Sequence, residues 1–328
     1  MQPDATLANP SILQGLVAAP RAWHGPDLVE DDFKILLTGD CIAELETIIA
    51  EQRKAPVPTL VLQPEHFKMD ACRKLMQGAK QRLDGGLGFV IFDRLPVDRW
   101  SKQEVIDVYW LLGSLLETPV AQEWKGTMIY DVRYDGRAYT SDTRAALTPE
   151  GLDMHNDSSM GEAPANYVCL LCLQTARSGG MSSLSSAYAA HNHFLINYPA
   201  LLPRLYQAFY RDKQEYQAPD ANNWYPIFSA ENGQLRIRFN ARVIRRGYQK
   251  AGLVLDPDGV ETVERLNGFL TDPAHRHDFW MEPGQIQVLN NRSIVHGRTP
   301  YEDFAEPEKR RHLVRLWLRA GDRRQFRG

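Results

Sequence analysis

The sequence predicts a mainly β chain with flanking helices, organised as a double-stranded β-helix (jelly roll). Three observations carry this expectation. After Thr118 the chain breaks into many strand-length runs of Val, Ile, Leu and aromatic residues, bounded by turn residues. Much of the helical periodicity lies before that point. Strand and helix do not alternate regularly and no G-x-G-x-x-G follows a strand, which argues against a doubly wound parallel sheet.

Residues 1–85 read as an N-terminal helical extension packed on the jelly roll. Within it, Asp40–Arg53 is predicted helical, with Asp40 as cap and Ile42, Leu45, Ile48 and Ile49 as its apolar stripe. A second helix is expected from about Pro64 to Leu83. Gly86–Phe92 reads as a strand. Ser101–Leu116 reads as a helix, with Ser101 as cap and Glu104 at the capping-box position. Further strands are expected at Pro119–Ala121, Met128–Val132, Tyr167–Gln174, Met181–Ser185, Pro226–Ser229, Leu235–Phe239, Ile286–Leu289, Ser293–His296 and Arg311–Leu318. Helices are expected at Ala187–Tyr198, Ala200–Phe209 and Pro257–Leu270. No repeat, low-complexity segment or Pro/Gly/Ser-rich linker divides the chain, so one domain over 1–328 is expected.

Composition narrows the function classes. A hydrophobic content of 43% with 24% charged residues is ordinary for a globular chain with a buried core. Lys and Arg number 38 against 41 Asp and Glu, a net charge of −3, and no long basic run exists. Nucleic acid is disfavoured as a partner, because tracking phosphates takes clustered cations. No segment approaches the roughly 20 apolar residues of a membrane helix, and the N-terminus lacks the features of a secretory signal. Four cysteines do not suggest a disulfide framework. Cys169 and Cys172 form a C-x-x-C inside an expected buried strand, where positions three apart face opposite sides, so inert core thiols are expected. A cytoplasmic location fits this cysteine usage.

The chemistry is concentrated in two short motifs, His155-Asn156-Asp157 and His296-Gly297-Arg298, followed by Arg310-Arg311-His312-Leu313-Val314-Arg315-Leu316-Trp317-Leu318. In extended chain, residues i and i+2 project to one side about 7 Å apart, so His155 and Asp157 can converge while Asn156 points away. His296 closes an expected strand, before a glycine that permits a sharp exit. Two imidazoles and one carboxylate occupy one face of a six-coordinate Fe(II) and leave the opposite face open for a co-substrate and dioxygen. An H-x-D alone is weak evidence, and an isolated His155 would be read as a polar loop residue. On the last strand, alternation puts Arg311, Leu313, Arg315, Trp317 and Arg319 on one face. By itself that face would be assigned to solvent.

Taken together and in this order, the motifs resemble the TauD/TfdA group of Fe(II)- and 2-oxoglutarate-dependent dioxygenases, within the clavaminate-synthase-like superfamily. The resemblance covers most of the chain from about Gly86 to Leu318 and is most specific from Leu289 onward. It implies His155, Asp157 and His296 as iron ligands. It also implies Arg311 as the cation for the distal carboxylate of 2-oxoglutarate, with Ser182 in place of the usual threonine. Arg315 matches an arginine that faces either co-substrate or substrate in relatives. A planar guanidinium suits such a task, since it holds a carboxylate by two parallel hydrogen bonds.

The implied cofactors are Fe(II), 2-oxoglutarate as co-substrate, and O2. The implied reaction is oxidation, by default hydroxylation, of an unactivated C–H bond in a small polar substrate, with release of succinate and CO2. An amino acid or related carboxylate suits the arginines and tyrosines near the motifs; a quaternary ammonium is the aromatic alternative. A carboxylate at position 157 disfavours halogenation, for which relatives carry a small residue there. Tyr130, Arg133, Tyr139, Asn156, Ser158, Trp224 and Arg315 are the candidate substrate contacts. Each imidazole is expected to have an acceptor behind its second nitrogen. A homodimer is the default assembly. The alternatives are a non-catalytic jelly-roll binding protein and a metal enzyme with the same triad that does not use 2-oxoglutarate.

Overall fold

The structure is a computed structural model that describes residues 11–136, 147–212, 223–321 and 323–327. Its centre is a pair of β-sheets. The larger runs in the order Lys34–Leu36, Phe89–Asp93, Ile286–Asn290, Tyr167–Gln174, His312–Arg319 and Thr118–Val120. Tyr130–Val132 also pairs with His312–Arg319. Every pairing is antiparallel except that of Lys34–Leu36 with Phe89–Asp93. The smaller sheet runs His277–Phe279, Ser182–Ser186, Ile294–Arg298 and Leu152–His155, all antiparallel.

Alternation along each strand sorts side chains into layers. Phe89, Ile91, Val168, Leu289 and Trp317 of the larger sheet meet Leu184 and Ile294 of the smaller one in a shared core. Their neighbours Val90, Phe92, Cys169, Val288, Val314 and Leu316 face the other way and pack on the N-terminal helices through Leu45, Ile48, Met76 and Leu83. Val295 and Met154 of the smaller sheet face a second helical layer that includes Phe194, Leu266 and Phe269. The order is helix, sheet, sheet, helix. Both faces of each central strand are thereby covered, which is why the last strand reads Leu-Val-Arg-Leu-Trp-Leu rather than apolar-polar.

Most expected elements are present. Gly39–Lys54 forms the first long helix, although Thr38 rather than Asp40 caps it, accepting from the Cys41 amide at 3.2 Å. The helix expected from Pro64 is a single turn, Pro64–His66, followed by a separate helix, Asp70–Gly85. Lys102–Ser114 starts with the expected Ser101/Glu104 capping box. Ala187–Asn197 and Pro257–Thr271 match their predictions closely.

Other elements differ for identifiable reasons. The helix expected at Ala200–Phe209 is only Leu202–Leu205, and the aromatic residues beyond it enter a strand, Ala208–Tyr210, paired with Trp224–Pro226. The strand expected at Pro226–Ser229 is two strands, the second being Phe228–Glu231. It pairs with Gln234–Ile237 across Asn232-Gly233, both at positive φ (53° and 73°), the signature of a two-residue hairpin turn. A helix at Ala241–Ala251 was not anticipated, although Asn240 caps it and Gly252 (φ 64°) ends it. Cys169 and Cys172 are buried free thiols on opposite faces of their strand. No helix among the described residues is long and apolar enough to cross a membrane.

Candidate metal centre

His155 ends one strand of the smaller sheet and lies directly opposite His296 on its neighbour. The two rings face each other at 4.4 Å between centroids. Asp157 follows in the turn, with Oδ1 at 3.4 Å from His155 Nε2 and 3.7 Å from His296 Nε2. The three donor atoms all lie within 4.8 Å of one another, and this is the one such group among the described residues. Sequence positions 139 residues apart meet because the two strands are neighbours in one sheet.

The turn bearing Asp157 is fixed by two buried asparagines. Asn156 donates to the carbonyls of Asn291 (2.8 Å) and Ile294 (2.9 Å) and accepts from the Phe239 amide (2.9 Å). Asn291 accepts from the Asp157 amide and donates to the Asp157 carbonyl, both at 3.0 Å. Gly297 is not an exit point, since the strand continues to Arg298. It is required by close approach: a Cβ there would sit 2.8 Å from Met154 Sδ and 2.9 Å from the Leu152 carbonyl oxygen.

Asp157 divides its two oxygens between tasks. Oδ2 accepts from Arg315 Nη1 at 3.0 Å and Trp317 Nε1 at 2.8 Å, which leaves Oδ1 turned toward the imidazoles. Burial acts to raise the carboxyl pKa, but Arg315 and the two histidines outweigh it and hold the group well below the usual carboxylate range. Burial, reinforced by His155, pushes His296 down to about 3. A neutral imidazole and an ionised carboxylate are the forms that bind a divalent cation. Behind His155, the Asp153 carbonyl lies 2.8 Å from Nδ1. His296 Nδ1 is buried without a partner among the described residues, which supply the expected acceptor for one imidazole and not the other.

Arg311 lies just before the strand His312–Arg319, which carries Arg315 and Trp317 and starts one residue later than expected, with a register shift between His312 and Leu313; only 6% of Arg311 is exposed. Its amide donates to Asp303 Oδ1 at 2.7 Å, while its guanidinium Nη1 is buried with no partner among the described residues. Burial lowers its pKa. Gly180, at φ 80°, gives the side chain room, since a Cβ there would lie 3.3 Å from Arg311 Nε. The guanidiniums of Arg311 and Arg298 both lie over the Tyr301 ring, at 5.2 and 4.7 Å from its centroid, and the Tyr301 hydroxyl is also buried without a partner. Ser182 is buried opposite Arg298 in the register of the smaller sheet.

The expected substrate contacts scatter. Tyr130 is buried and packs its ring 4.9 Å from the Arg315 guanidinium. Arg315 is directed to Asp157 and to Gln122, whose Oε1 accepts from Nε at 2.7 Å. Asn156 has its amide engaged by backbone, as above. Arg133 donates to the Pro307 carbonyl. Ser158 adopts a positive φ of 52° in the turn after Asp157. Trp224 packs against Tyr210 and Tyr248. Tyr139 lies outside the described residues. Gln122, Asn291, Trp317 and Tyr301 were not anticipated. Trp317 was legible in principle, because alternation places it beside Arg315.

Two histidines and a carboxylate gathered on one side of a buried point define a site of the kind found in non-haem Fe(II) oxygenases. Residues 58–317 match the family described as taurine catabolism dioxygenase TauD, TfdA family. The chain belongs to that family, and it is an oxidoreductase of the Fe(II)/2-oxoglutarate-dependent dioxygenase class, with Fe(II), 2-oxoglutarate and O2 as its cofactors. It is 28% identical over 265 residues to FR-33289 synthase of Streptomyces rubellomurinus, covering 79% of this chain and 76% of that protein. In fold it is similar to asparagine oxygenase solved with Fe(II), 2S,3S-3-hydroxyasparagine and succinate. That match has 15% identity and a TM-score of 0.64, over 87% of this chain and 93% of that one. It is also similar to the oxygenase OrfP solved with Fe, succinate and (3S)-hydroxy-L-Arg, at 13% identity and a TM-score of 0.65, over 88% and 94%.

Proposed function

We propose that the chain hydroxylates an unactivated C–H bond of a small polar substrate, an amino acid or related carboxylate, within a single domain wound as a double-stranded β-helix. His155, Asp157 and His296 would hold the iron. The donor set fits a ferrous ion: three ligands on one side, one of them anionic, with the imidazoles opposed across two paired strands. When bound, the metal supplies oxidation by O2 coupled to decarboxylation of the keto acid, chemistry that no side chain here can perform.

The observation that carries 2-oxoglutarate use is Arg311. A buried guanidinium with a free Nη1, and no carboxylate in ion-pair range among the described residues, is costly unless an anion completes it. On this reading Arg311 binds the distal carboxylate, and Ser182 adds a hydroxyl to the same oxygens. Arg315 and Trp317 act on the metal side by fixing Asp157. The substrate class draws support from the related structures holding hydroxylated asparagine and arginine.

The test is substrate-dependent succinate release with Fe(II), 2-oxoglutarate and a panel of amino acids and small carboxylates. Arg311→Ala is expected to raise the 2-oxoglutarate requirement at least about tenfold, the consequence of losing a charge-assisted contact. An unchanged requirement in Arg311→Ala would overturn the role given to Arg311 and place the distal carboxylate against another residue.

A further inference from the structure

A second polar cavity of about 270 Å³ lies outside the metal centre, lined by none of His155, Asp157, His296, Arg311 or Ser182. Four cationic side chains border it, Arg21, Lys80, Arg236 and Arg292, against two carboxylates, Asp84 and Glu117. Those carboxylates are already engaged. Asp84 pairs with Lys80 at 3.0 Å and accepts from the Tyr167 hydroxyl. Glu117 lies 3.5 Å from Lys80 and accepts from Asn166 at 2.9 Å. Among the described residues Arg236 pairs only with exposed Glu231, at 2.8 Å, a contact worth little in water.

Arg21 and Arg292 have no carboxylate within ion-pair range among the described residues. Arg292 donates through Nη2 to the Pro164 carbonyl (3.0 Å) and Asn166 Oδ1 (3.2 Å), and its Nε is buried with no partner. Arg21 lies over the Tyr188 ring at 5.2 Å, held in place without an anion. Burial, with Arg238 and Arg236 nearby, pushes the Arg292 pKa down to about 10. A cleft of this size with surplus guanidinium groups and tyrosine faces fits a small anion with an apolar body.

We propose that this cavity binds a small organic anion, a phosphate monoester or a carboxylate, between Arg21 and Arg292, at a site separate from the metal centre. Arg292 supplies the buried donor and Arg21 the half-buried one, while Tyr188 covers the ligand's apolar part. The turn from Asn290 to Ser293 forms one wall, and its remaining residue, Asn291, holds the backbone of Asp157. Cavity and metal centre thus share one structural turn.

The test is calorimetric titration of the metal-free full chain with phenyl phosphate, benzoate and neutral phenol. Phenyl phosphate or benzoate is expected to bind with a dissociation constant below about 1 mM, the tighter of the two naming the ligand class, and phenol not to bind measurably. Arg21→Glu and Arg292→Gln are each expected to weaken binding about tenfold or more, and Arg311→Ala to leave it within about twofold. Arg21 makes no side-chain hydrogen bond within the described fold, so its variant keeps the test open if Arg292→Gln fails to fold. Equal binding of phenol, or no effect of Arg21→Glu, overturns the proposal. Loss of anion binding in Arg311→Ala also overturns it, by placing the anion in the metal centre.

Discussion

Trp317→Phe removes the indole N–H from the metal centre, together with part of the ring's volume in the inter-sheet core. The indole Nε1 donates to Asp157 Oδ2 at 2.8 Å, beside Arg315 Nη1 at 3.0 Å, and the pair of donors turns Oδ1 toward the histidines. Phenylalanine keeps an aromatic ring in the inter-sheet core, where Trp317 is 6% exposed. A hydrogen bond to a charged acceptor is worth about 1.5–3 kcal/mol. Loss of an outer contact to a metal ligand typically weakens metal binding about 10- to 100-fold. We therefore expect Trp317→Phe to weaken Co(II) binding by about tenfold and Arg315→Gln by more, because it also removes the charge opposing burial of Asp157. The sign with pH follows. In the wild type the carboxyl is held well below its usual range, so no proton competes at Asp157 through the mildly acid region. In Arg315→Gln burial acts with less opposition, the carboxyl pKa rises, and Co(II) affinity should fall as pH is lowered through that region. Visible absorption of Co(II) during titration of the metal-free protein measures both effects, with urea unfolding as the control for stability. Co(II) affinities within twofold of wild type in both variants, while His155→Ala abolishes binding, would refute the reasoning.

Three further outcomes follow from neighbouring contacts. Gly297→Ala should cost about 1–3 kcal/mol in urea unfolding and weaken Co(II) binding, because its Cβ would meet Met154 Sδ at 2.8 Å and the Leu152 carbonyl at 2.9 Å, beside both histidines. Asn156→Ala should destabilise by about 2–4 kcal/mol, since it strands the Phe239 amide and the Asn291 and Ile294 carbonyls; an unchanged urea midpoint would contradict this. Glu104 is held at about 2, chiefly by Arg53 with help from the Ser101 amide and against the effect of burial. Its contribution is complete above the unfolded glutamate pKa of about 4.3 and lost as pH falls toward 2. Glu104→Gln should therefore narrow the stability difference between pH 7 and pH 3 by about 0.5–1 kcal/mol, after allowance for solvent screening at exposed Arg53.

Local signals were legible where one residue type answers one backbone need. Ser101 with Glu104 marked a helix start, and the apolar run Tyr167–Gln174 marked a central strand to the residue. The failures are places where tertiary pairing overrides a local pattern. Residues 208–210 continue a helical pattern in sequence but are drawn into a strand by Trp224–Pro226. The helix Ala241–Ala251 was missed although it was legible: Ala241, Val243, Ile244, Gly247 and Tyr248 fall on one buried face with Arg242, Arg245 and Arg246 outside it, and its end signals, Asn240 and Gly252, were there to be read.

The site shows the same division at higher resolution. Which residues can ligate a metal is written in residue type and order, so His155, Asp157 and His296 emerge from sequence and the structure brings them within 4.8 Å. Which residues hold those ligands depends on register, and register is not local. Gln122, Asn291 and Trp317 reach the centre from three separate elements. Asn291 acts through a turn that carries no motif at all. Arg315 shows the consequence: its position implied a ligand contact, and in the fold its guanidinium lies on the carboxylate of Asp157 and the amide of Gln122. A guanidinium so engaged is poorly placed to take a second carboxylate without releasing the first, whereas Arg311, four residues earlier and just outside the strand, has a buried nitrogen with no partner among the described residues. The division of labour between the two arginines, one steadying a metal ligand and one open to an anion, is therefore set by what each meets in the fold rather than by their spacing in sequence.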